Sequence, residues 1–269
     1  MEYTCFDYEI NEKVAHIKLS RPEEFNSMNK AFWSELPHLI EDISDNAAAR
    51  VIVLSGEGKH FCAGMDLANF SPSDKQPNAH MGMRKESGYR VTLDLQHTIT
   101  CLEKARIPVI AAIQGYCFGV GLEFSLACDF RIVTKCAQLS LPEMKIGMIP
   151  GSGGSVRLAR MIGLSRVKDM IMRGKRISGE EAYNYGLASE VVEIDELESA
   201  TRNLVKELCL VSPLAQRAIK TVLNASQDAP LHVAIELEGE TYGRLRSSSD
   251  FKEGVQSFVE KRKPVYTGK

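Results

Sequence analysis

The sequence has no run of about 18 apolar residues, the length a helix needs to cross a bilayer, so no membrane span is expected. Its opening Met1-Glu2-Tyr3-Thr4-Cys5 carries neither a basic stretch nor an apolar one, and a secretory signal is not expected. Tyr266-Thr267-Gly268-Lys269 matches no common targeting tag. No Cys-x-x-Cys pair occurs among the seven cysteines, Cys5, Cys62, Cys101, Cys117, Cys128, Cys136 and Cys209. An odd, scattered set predicts reduced, mostly buried thiols and a cytoplasmic location. The six histidines show no ligand spacing, so no metal site is expected. An excess of one charge is also missing. The 33 basic residues face 35 acidic ones, a net charge of -2, which gives no general drive toward nucleic acid or an anionic membrane.

Nucleotide fingerprints are absent too. Gly119-Val120-Gly121 continues to Phe124 and Gly56-Glu57-Gly58 continues to Phe61, so neither completes the dinucleotide pattern. There is no P-loop and no G-x-S-x-G elbow. Nicotinamide enzymes, P-loop NTPases and α/β-hydrolases all lose support. What is present is a globular chain of 269 residues, 44% hydrophobic and 25% charged, long enough for one large domain or one domain plus an appendage. Disorder over most of it is excluded, because the apolar residues needed for a core are there.

The first half alternates short β-rich runs with helical spacing. Val14-Ala15-His16-Ile17-Lys18-Leu19 alternates apolar and polar residues and predicts a half-buried strand. Val51-Ile52-Val53-Leu54, Pro108 to Ile113 and Phe130-Arg131-Ile132-Val133 are continuous apolar runs that suit strands buried on both faces. Phe32, Leu36, Leu39, Ile40 and Ile43 mark one helix face over residues 29–43, and Val91, Leu95, Ile99 and Leu102 mark another. From about Gly153 the pattern is mainly helical, over 156–162, 165–172, 180–185, 197–210, 213–223, 231–245 and 250–261. This order predicts an α/β body, residues 1–210, followed by a helical region, residues 211–269. Residues 71–83, with Pro72, Pro77, Asn78 and Gly82, read as the mobile stretch.

Three glycine-containing turns follow the predicted strands. They are Phe61-Cys62-Ala63-Gly64-Met65-Asp66-Leu67, the stretch from Gln114 through Gly119-Val120-Gly121 to Glu123, and the stretch from Leu141-Pro142-Glu143 to Gly154. Taken alone, each is more often only a turn. Glycine also lets backbone approach a ligand and can present a peptide N–H at a helix start to developing negative charge. Glu123 stands in an otherwise apolar stretch and Glu143 follows Pro142. Taken alone, Glu123 reads equally as a helix-start acid on the dipole or as a carboxylate whose burial suits it to proton transfer near neutrality, and Glu143 reads more readily as a capping or loop acid. Two carboxylates beside one amide donor would form a general acid/base pair.

These three turns, in this order and spacing, resemble the enoyl-CoA hydratase/isomerase (crotonase) superfamily. The opening Leu19-Ser20-Arg21-Pro22 with Phe25-Asn26-Ser27-Met28 resembles its first CoA-binding segment. Ala63-Gly64-Met65-Asp66-Leu67 resembles its A-G-x-D-[LI] turn. The run from Pro108 through Gly115 to Asp129 resembles its central signature, Pro142-Glu143 through Gly154 the next block, and Phe258-Val259-Glu260-Lys261-Arg262 its closing helix. The resemblance spans about residues 10–265.

The resemblance implies an α/β spiral of repeated ββα units, with a C-terminal helical region that forms homotrimers or dimers of trimers. It implies an acyl-CoA thioester as the ligand, with no separate cofactor because coenzyme A is part of the substrate. The oxyanion amides would be those of Met65 and Val120, where valine stands in a place commonly held by glycine and crowds the thioester. Glu143 would activate water for addition at C3 and exchange a proton at C2; Glu123 would hold and polarise that water. Gly151 and Gly154 would line the space for it. Asn26, Met28, Ala63, Gly64, Met65, Asp66, Leu67 and Gly119 would contact CoA, and Phe258 and Lys261 would reach a neighbour's CoA. The implied activity is hydration of a 2-enoyl-CoA in β-oxidation or a related degradative pathway. Enoyl-CoA isomerisation with Glu143 as base is the alternative. A non-catalytic RNA-binding relative is disfavoured by both glutamates and by the balanced charge.

Overall fold

The computed structural model describes residues 3–46, 48–67 and 81–269. Strands β1 (Phe6–Asn11) and β2 (Val14–Leu19) form a hairpin. Its two-residue turn, Glu12-Lys13, has both φ values positive (48° and 65°), the tight geometry whose twist matches that of the strands. From Ala15 on, β2 buries alternate residues, as its sequence pattern requires, and it pairs in parallel with β3 (Val51–Gly56). β3, β4 (Val109–Ile113) and β6 (Phe130–Thr134) continue the parallel sheet, and β9 (Glu190–Val192) closes it in the order β1-β2-β3-β4-β6-β9. A smaller sheet joins β5 (Tyr116–Phe118), β7 (Gln138–Ser140) and β8 (Ile177–Ser178).

The chain therefore repeats one step. A strand in the large sheet runs into a strand in the small sheet and then into a helix. β4–β5 leads to α3 (Val120–Leu126), and β6–β7 leads to α4 (Gly154–Ile162). This is a ββα spiral. Phe32, Phe61 and Phe124 are fully buried between its layers, with Phe124 ring centroids 5.6 Å from Phe32 and 6.1 Å from Phe61.

Two long helices wall one side, α1 (Phe32–Asp45) and α2 (Met81–Lys104). Pro37 inside α1 has no N–H to give to the carbonyl four residues earlier. The Thr98 hydroxyl of α2 donates to that carbonyl, Trp33 O, at 3.1 Å, so the helix pair satisfies the break. Met81, Gly82 and Met83 open α2, which corrects the reading of these three as part of a mobile stretch; helical hydrogen bonds order them. The remainder of that stretch, residues 71–80, lies outside the described residues.

α5 (Leu164–Met172) and α6 (Gly179–Asn184) complete the spiral. α7 (Leu197–Leu210) covers the other face of the large sheet, where Val205 meets Val14, Val51, Val53, Ile110 and Ile132. α8 (Pro213–Ser226), α9 (Leu231–Leu245) and α10 (Ser249–Val259) form the helical C-terminal region. Lys220 pins α8 to the spiral. Its ammonium donates to Asp129 Oδ2 at 2.7 Å, to Ile107 O at 3.1 Å and to Leu102 O at 3.2 Å. Among the described residues no helix is long and apolar enough to cross a membrane.

Candidate active site

Backbone hydrogen bonds zip the three glycine turns together. Cys62 N donates to Tyr116 O at 2.9 Å and Phe118 N donates to Cys62 O at 3.0 Å, joining the first turn to β5. Gly119 N donates to Ser140 O at 2.9 Å, joining the second turn to the end of β7. Leu141-Pro142 then leads straight into Glu143. The register of a three-stranded sheet thus delivers residues from positions 64, 120 and 143 to one place.

The glycines sit where nothing larger fits. A methyl group on Gly64 would lie 2.8 Å from Phe118 O and 3.6 Å from the Val120 nitrogen, and one on Gly121 would lie 2.6 Å from Cys62 O. Gly119 has φ 53° and ψ -128°, a conformation that favours glycine, and a methyl there would come 3.1 Å from Glu143 Oε1. Val120 is the first residue of α3, and a first-turn N–H has no acceptor within its helix. Met65 forms a parallel bridge with Met28 in which Met28 N donates to Gly64 O at 2.8 Å and Asp66 N donates to Met28 O at 3.0 Å. That pattern turns the Met65 amide itself away from the bridge. Neither the Met65 nor the Val120 amide has an acceptor among the described residues.

Glu123, on α3, is fully buried. Its Oε2 accepts from Ser152 N and Gly154 N, both at 2.8 Å, at the start of α4. A helix N-terminus favours an anion there. A methyl on Gly154 would lie 2.9 Å from Glu123 Cδ and 3.0 Å from its Oε2, so only glycine allows this approach. Burial pushes the Glu123 carboxyl up; the amides of Gly154, Ser152 and Gly151, and then the Arg157 charge, pull it back. Oε1 is buried and unpartnered. Both oxygens of Glu143 are likewise buried without a partner. Burial raises Glu143 to about 7, and the nearby Glu123 carboxylate adds to the rise. A methyl on Gly151 would meet nothing within 4 Å, so open space adjoins it. The arrangement can stabilise an oxyanion at two amides and move protons between two carboxyl groups of unequal basicity.

The structure brings Met65, Val120, Gly119, Gly64, Glu123, Glu143 and Gly151 into this cluster. Met28 and Asp66 border a cleft of about 850 Å³ beside Met65, lined also by Trp33, Leu95 and Thr98. Ala63 N donates to Phe25 O, and Leu67 is exposed. Asp66 Oδ2 meets Arg21 at 3.3 Å. Asn26 spends its side chain on backbone: Nδ2 donates to Glu57 O at 2.9 Å and His60 O at 2.8 Å, and Oδ1 accepts from Arg21 N at 3.0 Å. Phe258, 85% exposed, and Lys261, with φ 54°, lie at the end of α10. No hydrogen bond or ion pair among the described residues links either of them to the cluster. Sequence reasoning missed Ser152, whose amide role depends on a fold-level approach that no local pattern announces. No group of three or more His, Cys, Asp or Glu suited to a metal ion occurs among the described residues.

A ββα spiral carrying this cluster is the crotonase fold. The family model for enoyl-CoA hydratase/isomerase matches residues 9–269. The chain is 34% identical to the (E)-benzylidenesuccinyl-CoA hydratase of Thauera aromatica, over 97% of this chain and 98% of that protein. It is 30% identical to the short-chain-enoyl-CoA hydratase of Clostridium acetobutylicum, over 98% and 97% of the two chains. The crystal structure of the Bacillus anthracis enoyl-CoA hydratase matches with a TM-score of 0.89 at 35% identity, covering 99% of this chain and 100% of that one. The chain belongs to the enoyl-CoA hydratase/isomerase family, which acts on acyl-CoA thioesters.

Proposed function

We propose that the protein is an enoyl-CoA hydratase that adds water syn across the C2–C3 double bond of a 2-enoyl-CoA. The observation that carries this reading is the pair of buried carboxylates, Glu123 and Glu143, with three oxygens unpartnered, beside the Met65 and Val120 amides. The thioester oxygen would accept from those two amides, each worth about 3–4 kcal/mol to the developing enolate. Glu143, ionised, takes one proton from water as the water oxygen bonds to C3. It then returns that proton to C2 of the enolate, so the carboxylate is regenerated and one water is consumed. Glu123 Oε1 accepts a hydrogen bond from the same water, while its Oε2 stays anchored on Ser152 and Gly154. The open space at Gly151 leaves room for that water. The cleft beside Met65 would take part of the acyl-CoA. No separate cofactor enters this scheme.

Hydration needs Glu143 ionised, and its group titrates at about 7. The rate of water addition therefore rises with pH through neutrality and levels off above it. The test is a spectroscopic assay of conjugated enoyl thioesters of several lengths, with product analysis. Loss of conjugation with water incorporated is expected, and Glu123→Gln and Glu143→Gln should each lower kcat about 10²–10⁴-fold. Migration of the double bond without water uptake would instead establish the isomerase, with Glu143 as the sole base. Wild-type hydration by both variants would discard the acid/base assignment. The proposal extends to a homotrimer or dimer of trimers, since Ile146, Met148, Ile149, Leu231, Phe258 and Val259 are apolar and exposed in the single chain, and to a cytoplasmic location, in keeping with the seven unpaired cysteines.

A further inference from the structure

Arg157 lies one turn into α4, behind the turn that holds Glu123. Its side chain is 15% exposed. Nη1 donates to Ser152 O at 3.1 Å. Nε and Nη2 donate to Glu103 Oε2 at 3.0 and 2.6 Å, and Nη2 also donates to Thr100 Oγ1 at 3.0 Å. Gly153, between Ser152 and α4, has φ 98°, and a methyl there would collide with the Arg157 Nη1. The guanidinium thus fills the space that a side chain at 153 would need. Ser152 is held from both ends: its N–H donates to Glu123 Oε2 and its carbonyl accepts from Arg157. A continuous set of contacts runs from α2, through Arg157 and the Ser152 peptide, to the Glu123 carboxylate.

We infer that Arg157 is a positioning residue for the proposed hydration, fixing the Ser152 peptide so that Glu123 is anchored through Oε2 and presents Oε1 to the reacting water. The inference rests on the role given to Glu123 above. The planar fork matters as much as the charge, because three separate acceptors are held at once. A small tilt of the Ser152 peptide would swing the carboxylate away from the water, and misplacement by about 1 Å can cost about 10²-fold in rate. The Arg157 charge also favours the ionised form of Glu123.

The experiment is a double-mutant cycle on the full chain with Arg157→Met, Arg157→Lys, Glu123→Gln and Arg157→Met/Glu123→Gln. Each variant is assayed for kcat, KM and pH profile, and its fold checked by circular dichroism. Arg157→Met should lower kcat about 10–100-fold with KM changed by less than about threefold, a split that a merely structural role would not give. Arg157→Lys, which keeps the charge but not the fork, should recover only part of the loss and remains informative if the methionine variant fails to fold. In the Glu123→Gln background the Arg157→Met change should cost less than about threefold more. The inference is overturned if Arg157→Met or Arg157→Lys keeps wild-type kcat while Glu123→Gln is crippled, or if the Arg157→Met loss is undiminished in the Glu123→Gln background. If Glu123→Gln alone keeps the wild-type rate, it is the hydratase reading that fails.

Discussion

Glu143 places two oxygens out of water with nothing to bond them, and the consequence is measurable without any substrate. Burial holds its carboxyl at about 7, above the roughly 4.3 expected in the unfolded chain. Between those values the folded protein keeps a proton that the unfolded chain has lost. The stability tied to the neutral form is therefore fully present below about pH 4 and is lost as the pH rises through about 7. Glu143→Gln has no such group. We expect it to exceed the wild type in stability at pH 8 by about 1–3 kcal/mol, with the gap narrowing toward pH 4. Urea unfolding at both pH values measures this, and a gap independent of pH would contradict it. Gly154 carries a second expectation. A methyl group there meets Glu123 Cδ at 2.9 Å, so Gly154→Ala should abolish most activity and cost about 1–3 kcal/mol through overpacking. Gly151→Ala, next to open space, serves as its thermal-unfolding comparison and should leave the melting temperature nearly unchanged. Glu123 stood out in the sequence because a glutamate amid Leu122, Phe124 and Leu126 is out of keeping with its neighbours, whereas Glu143, after Pro142, reads locally as a loop acid and is singled out by the resemblance of its block to the family. Arg157 did not stand out, since an arginine on an amphipathic helix is ordinary until its acceptors on α2 and the Ser152 turn are known.

Among the elements, length decided what the sequence disclosed. β2 and helices α7 and α9 span enough residues for a period to show, β3, β4 and β6 enough for an apolar run, and they form where the pattern puts them. β5, β7, β8 and β9 have two or three residues each, too few for any alternation. β1 leaves most of its residues half or fully exposed on the sheet edge, so its Asp7 and Glu9 mask the strand. These short strands matter most for the site, because β5 and β7 set the register that unites the turns. The helical C-terminal region is tied to the spiral by a largely buried ion pair as well as by contacts such as the hydrogen bond from Asn224 Nδ2 to Glu103 O. Lys220 and Asp129 are both largely buried, and each removes the other's unpaired charge. Lys220→Met leaves the buried Asp129 with only the Val109 amide and the Arg131 charge to favour its ionised form and should cost about 3–5 kcal/mol, read as a lowered urea midpoint. Unfolding indistinguishable from the wild type would show that the ion pair adds nothing to the other contacts that hold α8.

For the whole molecule, the exposed apolar residues on the loop after Glu143 and on α9 and α10 call for a partner surface. If that partner is a second copy, sedimentation should give three or six chains per particle. Phe258→Asp should then shift the distribution toward the monomer by placing a charge in the contact. A wild-type monomer at micromolar concentration would sink the proposed assembly.

Sequence alone determined the class of fold, through strand–helix alternation followed by helices, and the kinds of group available for chemistry, through glycine turns and two isolated acids. Those are local properties, set by side-chain period and by what each residue can do with its own backbone. Only the tertiary structure decided that amides at positions 65 and 120 and carboxylates at 123 and 143 share one space, and that Arg157 stands behind them. Such proximity depends on strand register and on helices packed from distant parts of the chain, and no local pattern encodes a distance between residues nearly eighty positions apart.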